Sequence, residues 1–575
     1  MLKTVWGEKL DPAQVLPEYP RPQLKRDSYL NLNGYWDHAI TTDEAMPTVW
    51  DGPILVPFSP ESALSGVERT LQKHETLWYH RSLTLPEGFI PHGGRLLLHF
   101  GAVDQEATIY LNDIEMGCHV GGYNAFTIDL TDGLCEGANQ LTVKVKDETD
   151  AGSRSRGKQK TKRGGIWYTP QSGIWQTVWL EAVPGQYIHS LQMLPHIDTR
   201  ELELTIETDA FSTAAASVVI RGETHTVPVN RPTLLPIRDV PFWSPETPHL
   251  ESFSVTLGED RVESYFAMRS FGVGKDEKGI PRLLLNGKPY FHNGLLDQGY
   301  WPDGLYTAPS DEALIFDIQQ MKALGFNMLR KHIKVEPMRW YYHCDRLGML
   351  VWQDMPSGGS EYKFPIISAP LVTGIHLKDK HYRWFAREDE VQRDAYYEEL
   401  EEMILQLRNV PSIAMWVPFN EGWGQFDAAN ACELISELDP TRPIDHASGW
   451  HDQGIGQLQS LHVYFRPYRF KPDKRGRAVV LSEFGGYNLR VDGHCFNEID
   501  FGYKKLKDEN ELWAAYEKLY REQILPAAEK GLAATVYTQV SDVEDELNGL
   551  FTYDRAVLKL PADKLTALNA ELMKR

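Results

Sequence analysis

The stretch Ser412-Ile413-Ala414-Met415-Trp416-Val417-Pro418-Phe419-Asn420-Glu421 is apolar for most of its length and ends in an amide and a carboxylate. Ala478-Val479-Val480-Leu481-Ser482-Glu483-Phe484-Gly485 has the same character. A strand apolar on both faces belongs in a parallel sheet covered by helices. Its closing polar residues mark where it leaves the core. Working outward, six more short runs read as strands: 290–296, 326–330, 349–353, 444–448, 461–464 and 533–539. Helical patterns lie among them. Ser310-Asp311-Glu312 caps a helix that runs to Leu324 and is ended by Gly325. Others cover 337–347, 388–407, 428–438 and 511–530. Eight strands interleaved with helices over residues 274–575 predict a (β/α)₈ TIM barrel. A doubly wound sheet is the alternative, but no GxGxxG follows a strand.

Upstream, the rhythm is all β. Runs at 94–100, 107–111, 124–130 and 140–146 are separated by turn residues such as Asn112-Asp113 and Gly121-Gly122. They predict a jelly roll over residues 1–183. Runs at 188–194, 201–208, 216–220, 224–229 and 252–257 predict an immunoglobulin-like β-sandwich over residues 184–273. The fold class is therefore multidomain, β followed by α/β.

Composition narrows the function. Asp and Glu number 80 against 59 Lys and Arg, a net charge of −21, which disfavours nucleic acid as a partner. No apolar run reaches the ~18 residues of a membrane helix. The N-terminus lacks an apolar signal region. Five scattered cysteines form no CxxC pair and no disulfide framework. A cytoplasmic location with reduced thiols is the expectation. Aromatic residues make up 11 % of the chain, which suits cores and also sugar sites, where a pyranose C–H face lies on a ring.

In a barrel the chemistry sits at the C-terminal strand ends. These carry His292, Asn293, Asp297, Gln298 and Trp301; Arg330, Lys331 and His332; Gln353 and Asp354; Asn420, Glu421 and Trp423; His446 and Trp450; His462 and Tyr464; Glu483; and Tyr537, Gln539, Asp542 and Glu544. Glu421 and Glu483 stand out, because strands four and seven face each other across a barrel mouth. Glycoside hydrolysis needs such a pair, one acid to protonate the leaving oxygen and one carboxylate to meet the anomeric carbon. The plainer reading makes either one a surface loop residue following its strand.

Asn420-Glu421 and Ser482-Glu483-Phe484-Gly485 resemble the acid/base and nucleophile motifs of glycoside hydrolase family 2, the family of β-galactosidases, β-glucuronidases and β-mannosidases. Leu32-Asn33-Gly34-Tyr35-Trp36, Val56-Pro57-Phe58, Trp78-Tyr79-His80-Arg81, the run Leu98 to Asp104, Gly121-Gly122-Tyr123 and Gly173-Ile174-Trp175 resemble its N-terminal sugar-binding jelly roll. Trp243-Ser244-Pro245-Glu246-Thr247-Pro248 and Met268-Arg269-Ser270-Phe271 resemble its sandwich. The resemblance implies three domains, a retaining exo-glycosidase and a homo-oligomer. It implies Glu421 as acid/base, Glu483 as nucleophile and Asn420 on the sugar 2-hydroxyl. Tyr464 would donate to Glu483, and Arg330 would support it and lower its pKa. Asp297, His332 and His462 would touch sugar hydroxyls, and Trp301, Trp423 and Trp450 are candidate sugar platforms, though barrel packing serves each equally.

The sequence also departs from the family pattern. The metal-dependent β-galactosidases carry Glu and His after strand three, where this chain reads Met355-Pro356-Ser357-Gly358-Gly359-Ser360, so no metal or other cofactor is expected. Asn548-Gly549-Leu550 has leucine where the β-glucuronidases have a uronate-binding lysine. The basic loop 466–477 reads either as an acidic-sugar contact or as a solvated loop. The stretch 357–388 reads as a long insertion without clear structure, shaping the aglycone side. A β-galactosidase-type substrate, a small carbohydrate or glycoside, is the leading expectation. β-Glucuronidase, β-mannosidase and α-L-arabinosidase are alternatives on the same scaffold. A non-catalytic carbohydrate-binding protein is the alternative of another class. A metal-dependent amidohydrolase would need His-x-His after the first strand, which is absent.

Overall fold

The computed structural model describes residues 2–152 and 154–575. The N-terminal part packs two antiparallel sheets face to face. One has six strands in the order 52–56, 34–41, 76–83, 139–146, 106–111, 114–120, and the other four in the order 29–31, 178–183, 95–100, 126–129. Trp36, Leu77, Tyr79, Leu96, Leu98, Phe100, Ile109 and Val143 fill the space between them. Every second residue of these strands points inward, so the alternation in sequence becomes the core of the jelly roll.

The next part is a smaller sandwich of three strands (190–196, 201–207, 233–236) on four (223–228, 215–220, 251–257, 260–266). Glu201–Glu207 alternates half-buried with buried residues along its whole length. A short antiparallel sheet, 271–289, then leads into the barrel. Its Leu283 belongs to one buried cluster with Leu350, Leu458, Ala478 and Ala533 at the beginnings of barrel strands. This covers the end opposite the strand termini that carry polar residues.

The parallel sheet runs 413–417, 350–354, 328–331, 292–297, 532–538, 478–485, 458–463, which is the sequential order of a TIM barrel. The expected fifth strand, 444–448, is the exception. It joins its neighbour only through isolated parallel bridges at Trp416–Ile444 and Asn420–Ser448. Asp445 N and Ser448 N donate to Trp416 and Phe419 carbonyls at 2.9 Å, so one side is paired. Toward the sixth strand, side chains replace the backbone ladder: Ser460 Oγ donates to Asp445 Oδ2 at 2.6 Å and lies 3.4 Å from Ser448 Oγ.

Two other expectations change. The 357–388 stretch contains a helix, Phe364–Thr373, which has Pro365 in its first turn and ends at Gly374 in the left-handed region (φ 65°). Its run of apolar residues has no amphipathic period, so periodicity does not reveal it. The helix expected over 511–530 is α-helical at Glu509–Leu519 and Leu525–Lys530, with a π turn at Tyr520–Ile524 between. Pro526 has no N–H to give the preceding turn, and the wider turn accommodates that loss.

Candidate active site

The strand ends converge as the barrel topology requires. Glu483 closes its strand and is 4 % exposed; Glu421 follows strand four at φ 50°, 9 % exposed, with its N–H on Ser448 O at 2.9 Å. Gly422 continues the left-handed turn at φ 71°, and a Cβ there would meet His451 Cδ2 at 2.5 Å. A non-glycine residue held in this region costs about 1 kcal/mol or more, a cost that clusters at functional sites.

The two carboxylates have different surroundings. Glu483 Oε1 accepts from Arg330 Nη1 at 3.2 Å, and Oε2 accepts from the Tyr464 hydroxyl at 2.5 Å. Tyr464 is stacked on Tyr503, ring centroids 4.0 Å apart, which fixes its aim. Arg330 also donates to Asp354 Oδ1 (2.9 Å), Ser482 O (3.1 Å) and Asn420 Oδ1 (2.8 Å). Among the described residues, Glu421 accepts only from His462 Nδ1, at 2.8 Å. That imidazole also lies 3.5 Å from Glu483 Oε2. One oxygen of each carboxylate and one His462 nitrogen lie within 4.8 Å of one another.

Electrostatics separate the pair. Burial pushes Glu421 up to about 8, against the lowering pull of Lys158 and then Arg330, with Glu546 adding to the rise. Burial raises Glu483 too, so the expected lowering by Arg330 does not prevail; His462, Arg330 and Tyr464 all oppose the rise, while Glu421 adds to it. Burial holds His462 down to about 4, so it is neutral at pH 7. Its Nε2 faces the permanent donor Arg330 Nη1 at 3.5 Å and Ser448 Oγ at 3.1 Å. That nitrogen must accept, which leaves the proton on Nδ1, pointing at Glu421. His332, held neutral mainly by burial, bonds Asp354 Oδ2 through Nδ1 at 2.8 Å.

Asn420 Nδ2 is buried without a partner among the described residues, so a donor next to the acid is free. Asp297 is placed differently from its expectation. Its oxygens accept from Lys331 Nζ at 2.7 Å and Gly299 N at 2.9 Å, so its carboxylate is occupied by protein donors. Trp301 is 2 % exposed, with Arg555 over its face at 4.2 Å and Trp6 edge-on at 6.0 Å. It is packed in the core and offers no platform. Trp450 lies 6.1 Å from the His462 ring. Trp423 meets Trp167 at 5.2 Å and Tyr362 at 6.3 Å, an aromatic group drawn from three separate segments. In the basic loop, Arg466, Arg469, Lys471, Lys474 and Arg475 are exposed, while Arg477 is paired with Asp452 and Asp473.

Lys158, Trp167, Tyr168, Tyr362 and Tyr503 were not foreseen. A sequence signal existed for the first: residues 154–163, Arg-Ser-Arg-Gly-Lys-Gln-Lys-Thr-Lys-Arg, are densely basic in an acidic chain. The jelly-roll loop carrying them reaches the barrel mouth. Thr169 N donates to Glu544 Oε1 at 2.9 Å, Arg163 Nη1 to Asp545 Oδ1 at 2.9 Å, and the Tyr168 hydroxyl to Glu546.

Residues 280–477 match the domain described as "Glycosyl hydrolases family 2, TIM barrel domain", and residues 65–184 match the sugar binding domain of the same family. The chain belongs to glycoside hydrolase family 2. This family 2 chain is 22 % identical over 455 residues to a β-glucuronidase of Streptococcus agalactiae, covering 74 % of this chain and 73 % of that one. It is 23 % identical over 390 residues to a β-galactosidase of Thermoanaerobacter pseudethanolicus, covering 64 % and 48 %. The chain spans about a third to a half of the length of the first curated relatives it matches. A solved β-D-glucuronidase from Dictyoglomus thermophilum has the same fold, with a TM-score of 0.73, 16 % identity, and coverage of 96 % and 98 %.

Proposed function

We propose that this chain is a retaining exo-β-glycosidase, with Glu483 as nucleophile and Glu421 as acid/base. The observation that carries this reading is the unequal pair: two buried carboxylates within reach of one imidazole, one bonded to a cation and a phenol, the other, among the described residues, only to a neutral ring. A carboxyl separation of about 5–5.5 Å suits double displacement, whereas a wider gap would admit a water for inversion. Oxygens within 4.8 Å support the former. In the first step a Glu483 oxygen bonds the anomeric carbon, the glycosidic C–O bond breaks, and the Glu421 proton goes to the leaving oxygen. In the second, water attacks that carbon, gives its proton to Glu421, and Glu483 leaves. Asn420 Nδ2 is free to hold the 2-hydroxyl. Trp167 and Tyr362 stand beside Trp423, two residues beyond the acid, and narrow that side of the site, which suits a chain end.

For the sugar bound at Glu483 we favour a neutral β-galactoside. Arg330 is already neutralised by Asp354 and Glu483. Lys559, which follows Asn548-Gly549-Leu550, is spent on Asp542 at 2.6 Å. Neither is free for a uronate. A panel of p-nitrophenyl β-galactoside, β-glucuronide, β-mannoside and α-L-arabinoside tests this. Turnover of the galactoside with retained anomeric configuration is expected. Turnover of the glucuronide alone would replace that sugar, and turnover of none would favour a binding protein. kcat/KM should be bell-shaped in pH. Its alkaline limb reports loss of the Glu421 proton near pH 8, and its acid limb reports protonation of Glu483.

EDTA tests the metal question. Glu421, His462 and Glu483 are close enough to hold an ion, but the reaction above needs a proton on Glu421 and a free Glu483 oxygen. Activity is expected to stay within about twofold after chelation. A tenfold loss restored by Mg²⁺ or Zn²⁺ would overturn the metal-free reading.

A further inference from the structure

Four lysines are buried among the described residues: Lys158, Lys331, Lys334 and Lys559. Lys331 is paired with Asp297 and Glu336, Lys334 with Glu336, and Lys559 with Asp542. Lys158, 5 % exposed, has no carboxylate and no hydrogen-bond acceptor for its ammonium among the described residues. Its Nζ lies over two rings, 5.4 Å from the Tyr168 centroid and 5.9 Å from that of Trp423. An ammonium with no carboxylate partner among the described residues, set over two rings beside an active site, is poised for a counterion brought by the ligand.

Its position says which part of the ligand. Trp423 is two residues beyond Glu421, its N–H turned back onto Asn420 O at 2.9 Å. Lys158 is the strongest charge acting on Glu421, ahead of Arg330, and is not among the main influences on Glu483. Lys158 thus stands on the acid side, where the leaving group departs. Trp167 and Tyr362, both partly exposed, flank Trp423 there, and Lys160 lies over Trp167 at 4.4 Å.

We propose that the leaving-group subsite, walled by Trp423, Trp167 and Tyr362 and closed by Lys158, takes an acidic sugar, a uronic acid whose carboxylate pairs with the Lys158 ammonium. This rests on the double-displacement reading, because the acid side is the leaving-group side only if Glu421 donates the proton. The sugar removed is neutral, and the residue it leaves is acidic.

The test compares two disaccharides that share the non-reducing sugar found in the aryl-glycoside panel. One has a uronic acid at the reducing end, and the other is the same compound with that carboxyl reduced. Wild-type kcat/KM is expected to favour the uronic acid at least tenfold, more strongly at low salt than at high salt. Lys158→Gln should bring the ratio close to one, and Lys158→Arg should restore most of it. A wild-type ratio near one overturns the proposal whether or not the variants fold. So does a preference that survives in Lys158→Gln, above all if the alkaline limb of the pH profile moves instead, which would make Lys158 a tuner of Glu421. Cleavage of uronides at the non-reducing end, lost in Lys158→Gln, would place the lysine on the other side of the bond and also overturn it. Absence of turnover on every aryl glycoside is a different failure, that of the glycosidase reading.

Discussion

Glu483→Ala is expected to lower turnover by several orders of magnitude on every substrate, whatever its leaving group. The variant lacks the carboxylate whose two oxygens Arg330 and Tyr464 hold, so no glycosyl–enzyme bond can form. Removing the side chain opens space for a small anion on the face the carboxylate occupied. Azide should enter there, attack the anomeric carbon once, and give the glycosyl azide with inverted configuration. Arg330 remains in the variant, still held by Asp354 and Asn420, and its charge favours the anion. Product analysis by NMR with a dinitrophenyl glycoside checks this. Residual activity within tenfold of wild type, or an azide product of retained configuration, would remove Glu483 from the nucleophile's role.

The barrel and its central pair were legible because they obey local rules. A strand buried on both faces is a continuous apolar run, and the residue that ends it stands at the mouth. Arg330, Asn420, Glu421, Tyr464 and Glu483 each sit at such an end, and the structure brings them within hydrogen-bond reach of one another or of a shared partner. His462 was found by the same rule, but its place between the two carboxylates depends on Ser448 and Arg330 holding its other nitrogen. No pattern along one strand encodes that.

What was not legible comes from long-range placement. Lys158 and Trp167 lie on a loop of the jelly roll more than two hundred residues from the acid they face. Nothing in their own segment says which barrel loop they meet. Trp301 shows the converse: a tryptophan at a strand end looks like a sugar platform until Arg555, far along the chain, covers it. Asp297 likewise reads as a sugar ligand, but Lys331 and the Gly299 N–H occupy it first. The strand at 444–448 has the right composition, yet Asp445, Ser448 and Ser460 bond through side chains where a ladder would have run.

Glu421→Ala should divide substrates by leaving group, which is what separates its role from that of Glu483. The wild-type acid is kept protonated near neutrality by burial, with a neutral imidazole as its carboxyl's one hydrogen-bond partner among the described residues. A dinitrophenolate departs without a proton, so glycosylation of the variant by such a glycoside should proceed. Deglycosylation then stalls, because no base takes the proton of the incoming water, and a burst of one equivalent should be seen. Sugars as leaving groups need the proton, and for them kcat/KM should fall by about 10²–10⁴. Azide needs no base and should speed deglycosylation, giving a product of retained configuration because two inversions have occurred. The pH dependence carries the same sign argument. In wild type, activity declines as pH rises through about 8, since the acid form of Glu421 is the active one. In Glu421→Ala that alkaline limb should vanish for dinitrophenyl glycosides, while the acid limb, which belongs to Glu483, stays. Equal losses on all leaving groups with no azide effect would remove both assignments. An inverted azide product from Glu421→Ala would exchange them, and with them the side of the bond on which Lys158 stands.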